Sequence, residues 1–311
     1  MKTNSAHSWK PISPPPDITD TDFWIGTSGY NFDDWVGRFN PPGGKRKSNG
    51  RVDLERLEFY QGYFSFVELH HTFDQAPSLA TFQELEHSSK ASMRFAVRVH
   101  RDISHSKAPD LDRGVDLMRS LIASVGPLVE TGKFYSFLIQ LGEQICRSQE
   151  RLDHLLSVAS EAVKRRLDVH IEFRHTSWHH MYPLQILRDY GIGICNCEIP
   201  PVKHAFPLKA YATTEKGYIR YSGRNREAWQ RSARPDTPAE RLEEKLERYD
   251  YLYTSGEIEA RVEGQLELSR KVSETAIVYA NCCRAKGVAN AIQNIQQLKQ
   301  HFDFAAILEG A

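Results

Sequence analysis

Between Phe23 and Asn281, short β-prone apolar runs alternate with stretches of helical spacing, and this alternation restricts the fold more than any other feature of the chain. The runs are Phe23–Gly29, Phe66–His70, Arg94–His100, Phe134–Leu141, Val169–Arg174, Ile192–Cys197, Gly217–Gly223 and Ala276–Asn281. Helical patterns fall at Leu54 to Phe64, Leu79 to His87, Asp112 to Val129, Glu150 to Arg166 and Pro183 to Tyr190. A last one, from Val288 through Ile292, Ile295 and Leu298, closes the series, and no helix can be placed between the sixth and seventh runs. Eight strand-then-helix units in 311 residues predict one α/β domain, a (β/α)8 TIM barrel over residues 23–305. An open doubly wound sheet is the runner-up. No Gly-x-Gly-x-x-Gly follows any strand, which counts against it.

Two segments stand outside this rhythm. Residues 1–22 carry Pro11, Pro14, Pro15 and Pro16 among polar residues, a composition that predicts a disordered tail. Thr237-Pro238-Ala239-Glu240 reads as a capping box that opens a long charged helix through Leu242, Leu246, Tyr249 and Tyr253. The pattern resumes from Ile258 to Val272, giving a helical extension over 237–272 before strand eight. A solvated helical hairpin is the plain expectation for it, and a homo-oligomer contact the alternative.

Composition narrows the function by exclusion. Lys plus Arg and Asp plus Glu number 40 each, so no global charge argues for nucleic acid or an acidic membrane surface. No apolar stretch is long enough to cross a bilayer and the N-terminus lacks a signal-peptide core, so a cytoplasmic protein is expected. The five cysteines, Cys146, Cys195, Cys197, Cys282 and Cys283, form no C-x-x-C pair and read as reduced thiols. A basic loop, residues 41–50, follows the first strand on what would be the active face of a barrel.

The chemistry concentrates where the strands end. In Val169-His170-Ile171-Glu172-Phe173-Arg174-His175, one face of the strand is apolar and the other carries His170, Glu172 and Arg174. Applying the same alternation elsewhere gives Glu68 and His70 on strand two, Arg98 and His100 on strand three, and Gln140 on strand four. It gives Asn196 on strand six, Arg220 and Ser222 on strand seven and Asn281 on strand eight. Branched apolar side chains fill a purely structural barrel, so polar residues at one end of seven strands point to a site. Glu68 and Glu172 against Arg98, Arg174 and Arg220 leave an excess of positive charge, and guanidinium forks suit carboxylate or phosphate. A small anionic molecule is therefore the expected partner, with Ser28 in the Gly26-Thr27-Ser28-Gly29 turn close enough to meet it. Tyr30, Trp35, Phe73 and Trp178 in the adjoining loops are candidates to wall the pocket. The contrary reading is an ion-pair network with no ligand.

Three chemistries fit these residues unequally. Glu172 and Glu68 are the candidate general acid and base. His70, His71, His100 and His175 with the glutamates offer donors to a divalent ion, but no tight ligand spacing supports one and no metal ligand is assigned. Ser28 lacks the pattern of a nucleophile elbow. The residues name no cofactor.

Several motifs, taken in order, resemble one family. Ile25-Gly26-Thr27-Ser28-Gly29-Tyr30 with Asp34-Trp35, Phe66-Val67-Glu68-Leu69 with Thr72-Phe73, and Arg94-Phe95-Ala96-Val97-Arg98-Val99 resemble the domain of unknown function 72, or YecE-like, family. Glu172-Phe173-Arg174-His175 with Ser177-Trp178, Tyr218-Ile219-Arg220 and Gly287-Val288-Ala289-Asn290-Ala291 continue the resemblance from Phe23 to about Phe302. It implies a TIM barrel and a family without an established activity. Departures fall at His70-His71, Gly142-Glu143, Ser222-Gly223 and Asn281-Cys282, where the family usually has Asn, Pro-Pro, His-Gly and Asn-Asn. The ligand need not be that of other members.

The functional expectation is a barrel that binds a small anionic, phosphorylated or sugar-like molecule, with Ser28, Tyr30, His70, Arg98, Gln140, Arg174, Trp178, Asn196, Arg220 and Asn281 around it. A non-catalytic interaction module and a metal-dependent phosphoester hydrolase are the alternatives.

Overall fold

The computed structural model describes residues 23–42, 53–106, 108–231 and 238–309, so the proline-rich tail, most of the basic loop and Thr237 lie outside the described residues. Eight parallel strands close on themselves: β1 Phe23–Ser28, β2 Phe66–Leu69, β3 Arg94–Arg98, β4 Phe134–Gln140, β5 Val169–Glu172, β6 Gly193–Glu198, β7 Lys216–Tyr221 and β8 Glu274–Tyr279. The (β/α)8 barrel expected from the alternation is what the chain forms. Around it run α1 Leu54–Tyr60, α2 Leu79–Ser88, α3 Arg101–Ser104, α4 Leu111–Ser124, α5 Gly126–Glu130, α6 Gln149–Val163, α7 Met181–Asp189, α8 Arg226–Gln230, α9 Pro238–Arg248, α10 Ser255–Ser269 and α11 Lys286–Glu309.

Local chemistry sets the helix starts. Asp53, Ser78, Asp110 and Ser148 each accept the backbone N–H three residues on, capping α1, α2, α4 and α6. Each cap satisfies a donor that the first turn leaves unpaired. The stretch expected to be one helix over Asp112 to Val129 is two, because Gly126-Pro127 restarts the chain as α5.

The two faces of the strands build two cores. Outward residues such as Val67, Val97, Ile139, Ile171 and Ile277 pack under the helices. Inward residues Phe66, Ala96, Tyr135, Leu138, Cys195, Tyr218, Ala276 and Val278, with Trp24, fill the barrel. His170 lies among them, its ring nitrogens 2.6 Å from Ser136 Oγ and 3.0 Å from the Lys216 carbonyl oxygen. It fits only because β6 begins with glycine: a Cβ on Gly193 would stand 2.3 Å from His170 Cδ2. Gly193→Ala is therefore expected to destabilise the fold by about 1–3 kcal/mol, the usual cost of overpacking. A lower denaturant midpoint at unchanged slope is the result to look for.

The segment 237–272 differs from expectation. The helix stops at Arg248, the chain turns at Tyr249 and crosses through residue 254 without helix, and the capping box observed is Thr254 with Glu257, at the head of α10. That helix packs on α11, β7 and β8 as an ordinary barrel helix, so the second half of the extension is core rather than free surface. Asparagines hold the crossing: Asn281 Nδ2 donates to the Tyr251 carbonyl (2.8 Å), and Asn290 Nδ2 to that of Tyr253 (2.9 Å). Between β6 and β7 there is no helix among the described residues.

Candidate functional site

Period-two alternation brings Glu68 on β2, Arg98 on β3, Gln140 on β4, Arg220 on β7 and, at and just beyond the end of β5, Glu172 and Arg174 to one mouth of the barrel. Arg220 is the hub. Its Nε and Nη2 reach the two oxygens of Glu68 at 3.0 and 3.2 Å, while Nη1 stands 3.5 Å from Glu172. Ser28 Oγ (2.6 Å) and Tyr218 Oη (2.9 Å) also donate to Glu68. Glu172 takes Arg174 Nε at 2.5 Å and Gln140 Nε2 at 3.0 Å on each oxygen.

These contacts decide the charge states. Burial alone would push both carboxyls up. For Glu68 the Arg220 charge and the hydrogen bonds from Arg220 and Ser28 reverse this, and for Glu172 Arg174 and Arg220 do so, so both lie below the ordinary carboxylate range. Folded-state values lowered in this way contribute stability above the ordinary carboxylate pKa and lose it as pH falls through the folded values. Unfolding midpoints are thus expected to drop on acidification below about pH 4.3, by about 1.4 kcal/mol per pH unit for each carboxylate. A pH series of urea melts on wild type and E172Q checks this; the variant should show the smaller slope.

Arg98 is different in kind. Among the described residues no carboxylate pairs with it, and its guanidinium instead lies 3.7 Å from the centre of the Phe73 ring. Burial, then the neighbouring Arg220, lowers its pKa to about 10. Arg98 Nε and Arg174 Nη2 are buried donors with no acceptor among the described residues. The mouth therefore carries three guanidiniums against two carboxylates, with N–H groups left over. The same field, after burial, holds His105 neutral at about 4.

The other expected residues lie elsewhere. Tyr30 packs on Tyr60 at 6.0 Å, away from the arginines, and burial followed by Asp53 and Glu84 pushes its hydroxyl up. Trp178 stacks on the outward face of Phe173 at 4.6 Å and donates to the Ile145 carbonyl, so it ties a loop to the outside of the wall. Asn196 also points outward, bonded to the Tyr211 backbone, because on β6 the inward positions are Cys195 and Cys197. Asn281 lies past β8 and braces the 249–254 crossing rather than facing the mouth. His70 stands at the rim, stacked on Phe32 at 5.1 Å above Gly29, where a Cβ would stand 2.5 Å from the ring. Trp35 is buried and donates to the Cys282 carbonyl.

Histidines near the strand ends serve local structure. His100 accepts from the Asp102 N–H, and His175 accepts from the Ser177 N–H. Among the described residues no three His, Cys, Asp or Glu side chains converge into a metal cage.

The comparisons bear on this arrangement. The family described as protein of unknown function DUF72 matches residues 24–308. The chain belongs to the DUF72 family. A DUF72 protein from Thermotoga maritima superposes with a TM-score of 0.73 at 26% identity, over 90% of this chain and 99% of that one. Another from Enterococcus faecalis V583 gives 0.71 at 20% identity, over 89% and 95% of the two chains. No curated protein matches.

In this DUF72 protein the mouth also holds Tyr218 and Tyr249, which pattern reading did not select, and Ser222, which alternation had placed on the inward face. Tyr218 shares the inward parity of Arg220, so alternation carried the signal for it. Ser222, one of the departures from the family pattern, accepts from Arg220 Nη1 at 3.2 Å. Tyr249 had the spacing of a helical stripe, yet it lies just past α9, against Trp229 and Cys197. Trp229 in turn lies 5.5 Å from the Arg174 guanidinium.

Proposed function

We propose that the mouth binds a small anion, such as the phosphate of a phosphorylated sugar, held by Arg98, Arg174 and Arg220. The observation that carries this reading is Arg98, a largely buried guanidinium with no carboxylate of its own among the described residues, near an Arg174 whose Nη2 finds no acceptor among them. Uncompensated buried charge costs several kcal/mol, on the order of an ion-desolvation penalty, and an oxyanion would offset it. Fork-shaped donors fit two oxygens of such a group. Glu68 and Glu172 hold the forks in place. In a catalytic form of this reading Glu172, with fewer donors than Glu68, accepts a proton, since neither carboxylate keeps one to give near neutral pH.

Calorimetric titration with sugar phosphates and with the same sugars lacking phosphate tests the proposal. Binding of the phosphorylated compounds alone, weakening as salt rises, is expected. Equal binding of both sets, or of neither, would overturn it. The metal-dependent alternative has no converging donor set among the described residues, and the interaction-module alternative keeps only α9 of its proposed surface. Among the described residues no helix is long and apolar enough to cross a membrane.

A further inference from the structure

The end of α9 is stitched to α8 beside the barrel mouth. Trp229 Nε1 donates to the Arg248 carbonyl at 3.0 Å, and Asn225 Nδ2 to that of Glu247 at 2.9 Å. Arg248 reaches Glu143, on the loop after β4, at 3.3 Å. These bonds leave Tyr249 edge-on to Trp229, with ring centres 6.1 Å apart, over Cys197 and Ile199. Arg174 lies against the same indole, so phenol and guanidinium share one wall.

We propose that Tyr249 sets the terms on which the mouth accepts an anion: its neutral phenol donates to the bound oxyanion beside Arg174, and its phenolate takes the anion's place. The inference deepens the anion reading of this site and rests on it. A phenol can play both parts, because it is a donor when neutral and a single negative oxygen when ionised. The charges of Arg174 just past β5, Arg220 on β7 and Arg98 at the end of β3 act on it, and Arg248 lies next to it in the chain. Glu68 and Glu172 sit behind the guanidiniums, while the Cys197 thiol on β6 is kept neutral by burial. Burial works against ionising Tyr249, yet the charges of Arg174, Arg220 and Arg98 outweigh it and hold the phenol below its ordinary range. Tyr60, Tyr135, Tyr218, Tyr221 and Tyr279 are pushed the other way by burial.

Two negative groups drawn to one cluster of arginines must weaken each other, and the effect is reciprocal. Ultraviolet difference titration of the full chain and of Y249F, at constant ionic strength with and without sodium sulfate, reads it out. Sulfate keeps its charge across the range, so any pH dependence belongs to the protein. Wild type is expected to show an early phenolate step that Y249F lacks and that sulfate moves to higher pH. Between that step and about pH 10, where Arg98 begins to lose its own charge, the sulfate affinity of wild type falls by up to about tenfold per pH unit, and that of Y249F stays level. Sulfate that binds without moving the step overturns the role of Tyr249 and leaves the anion seat standing. Sulfate that binds neither protein at any pH overturns both. The wild-type titration decides without the variant, and phenylalanine keeps the packing on Trp229.

Discussion

Arg220→Ala is expected to destabilise the protein by about 3–5 kcal/mol, more than any other single change at the mouth. The side chain is buried and grips Glu68 through two nitrogens while its third reaches Glu172. Removing it leaves Glu68 with Ser28 and Tyr218 as its donors among the described residues, and breaking a buried pair costs more than the pair is worth, because one charge remains. The carboxyl then rises towards protonation, since burial is the largest force on it and Arg220 the next. Two outcomes follow. Urea unfolding should show the loss directly, and E68Q added to R220A should restore part of it, a coupling that a double-mutant cycle measures. Additive effects of the two substitutions would contradict the hub role of Arg220.

Arg98→Gln is expected to do the opposite and leave the protein at least as stable as wild type. No carboxylate among the described residues loses a partner. The charge of Arg98 is held against burial and Arg220, which is why its pKa sits at about 10, below the ordinary arginine range. For a cation, a lowered folded-state value means that stability rises as pH climbs through that value, and that the charge is a cost below it. The gap corresponds to about 3 kcal/mol, which partial exposure reduces, and lost stacking on Phe73 offsets some of the remainder. A gain of about 1 kcal/mol is the balance, visible as a raised melting temperature at neutral pH. A loss of several kcal/mol would show Arg98 to be a structural member of the network.

These two arginines also explain what the sequence could and could not reveal. Parity along a strand assigns a side chain to a face, and it assigned Glu68, Arg98, Gln140, Glu172, Arg174 and Arg220 together. Parity fails when the phase is taken wrongly or carried past the strand's end. Asn196 is out of phase with Cys195 and Cys197, and Asn281 lies beyond Tyr279, where β8 has ended. Aromatic loop residues carry no parity, so Tyr30 and Trp178 packed outside the wall while Phe73 packed under Arg98. Tyr249 was hidden by a helical stripe that runs past the true end of α9, and only the Trp229 and Asn225 bonds to its backbone neighbours place it. Arg174 is not the residue whose removal separates binding from stability. Its 2.5 Å bond to Glu172 gives it both roles, so Arg98 is the separating residue instead.

The most direct test of the claim that this barrel keeps positive charge for an anion is calorimetric titration of wild type and R98Q with sulfate at neutral pH and low salt. Binding by wild type, lost from an R98Q protein that melts no lower, is the predicted result. Equal binding by the two proteins, or none by wild type, would contradict it.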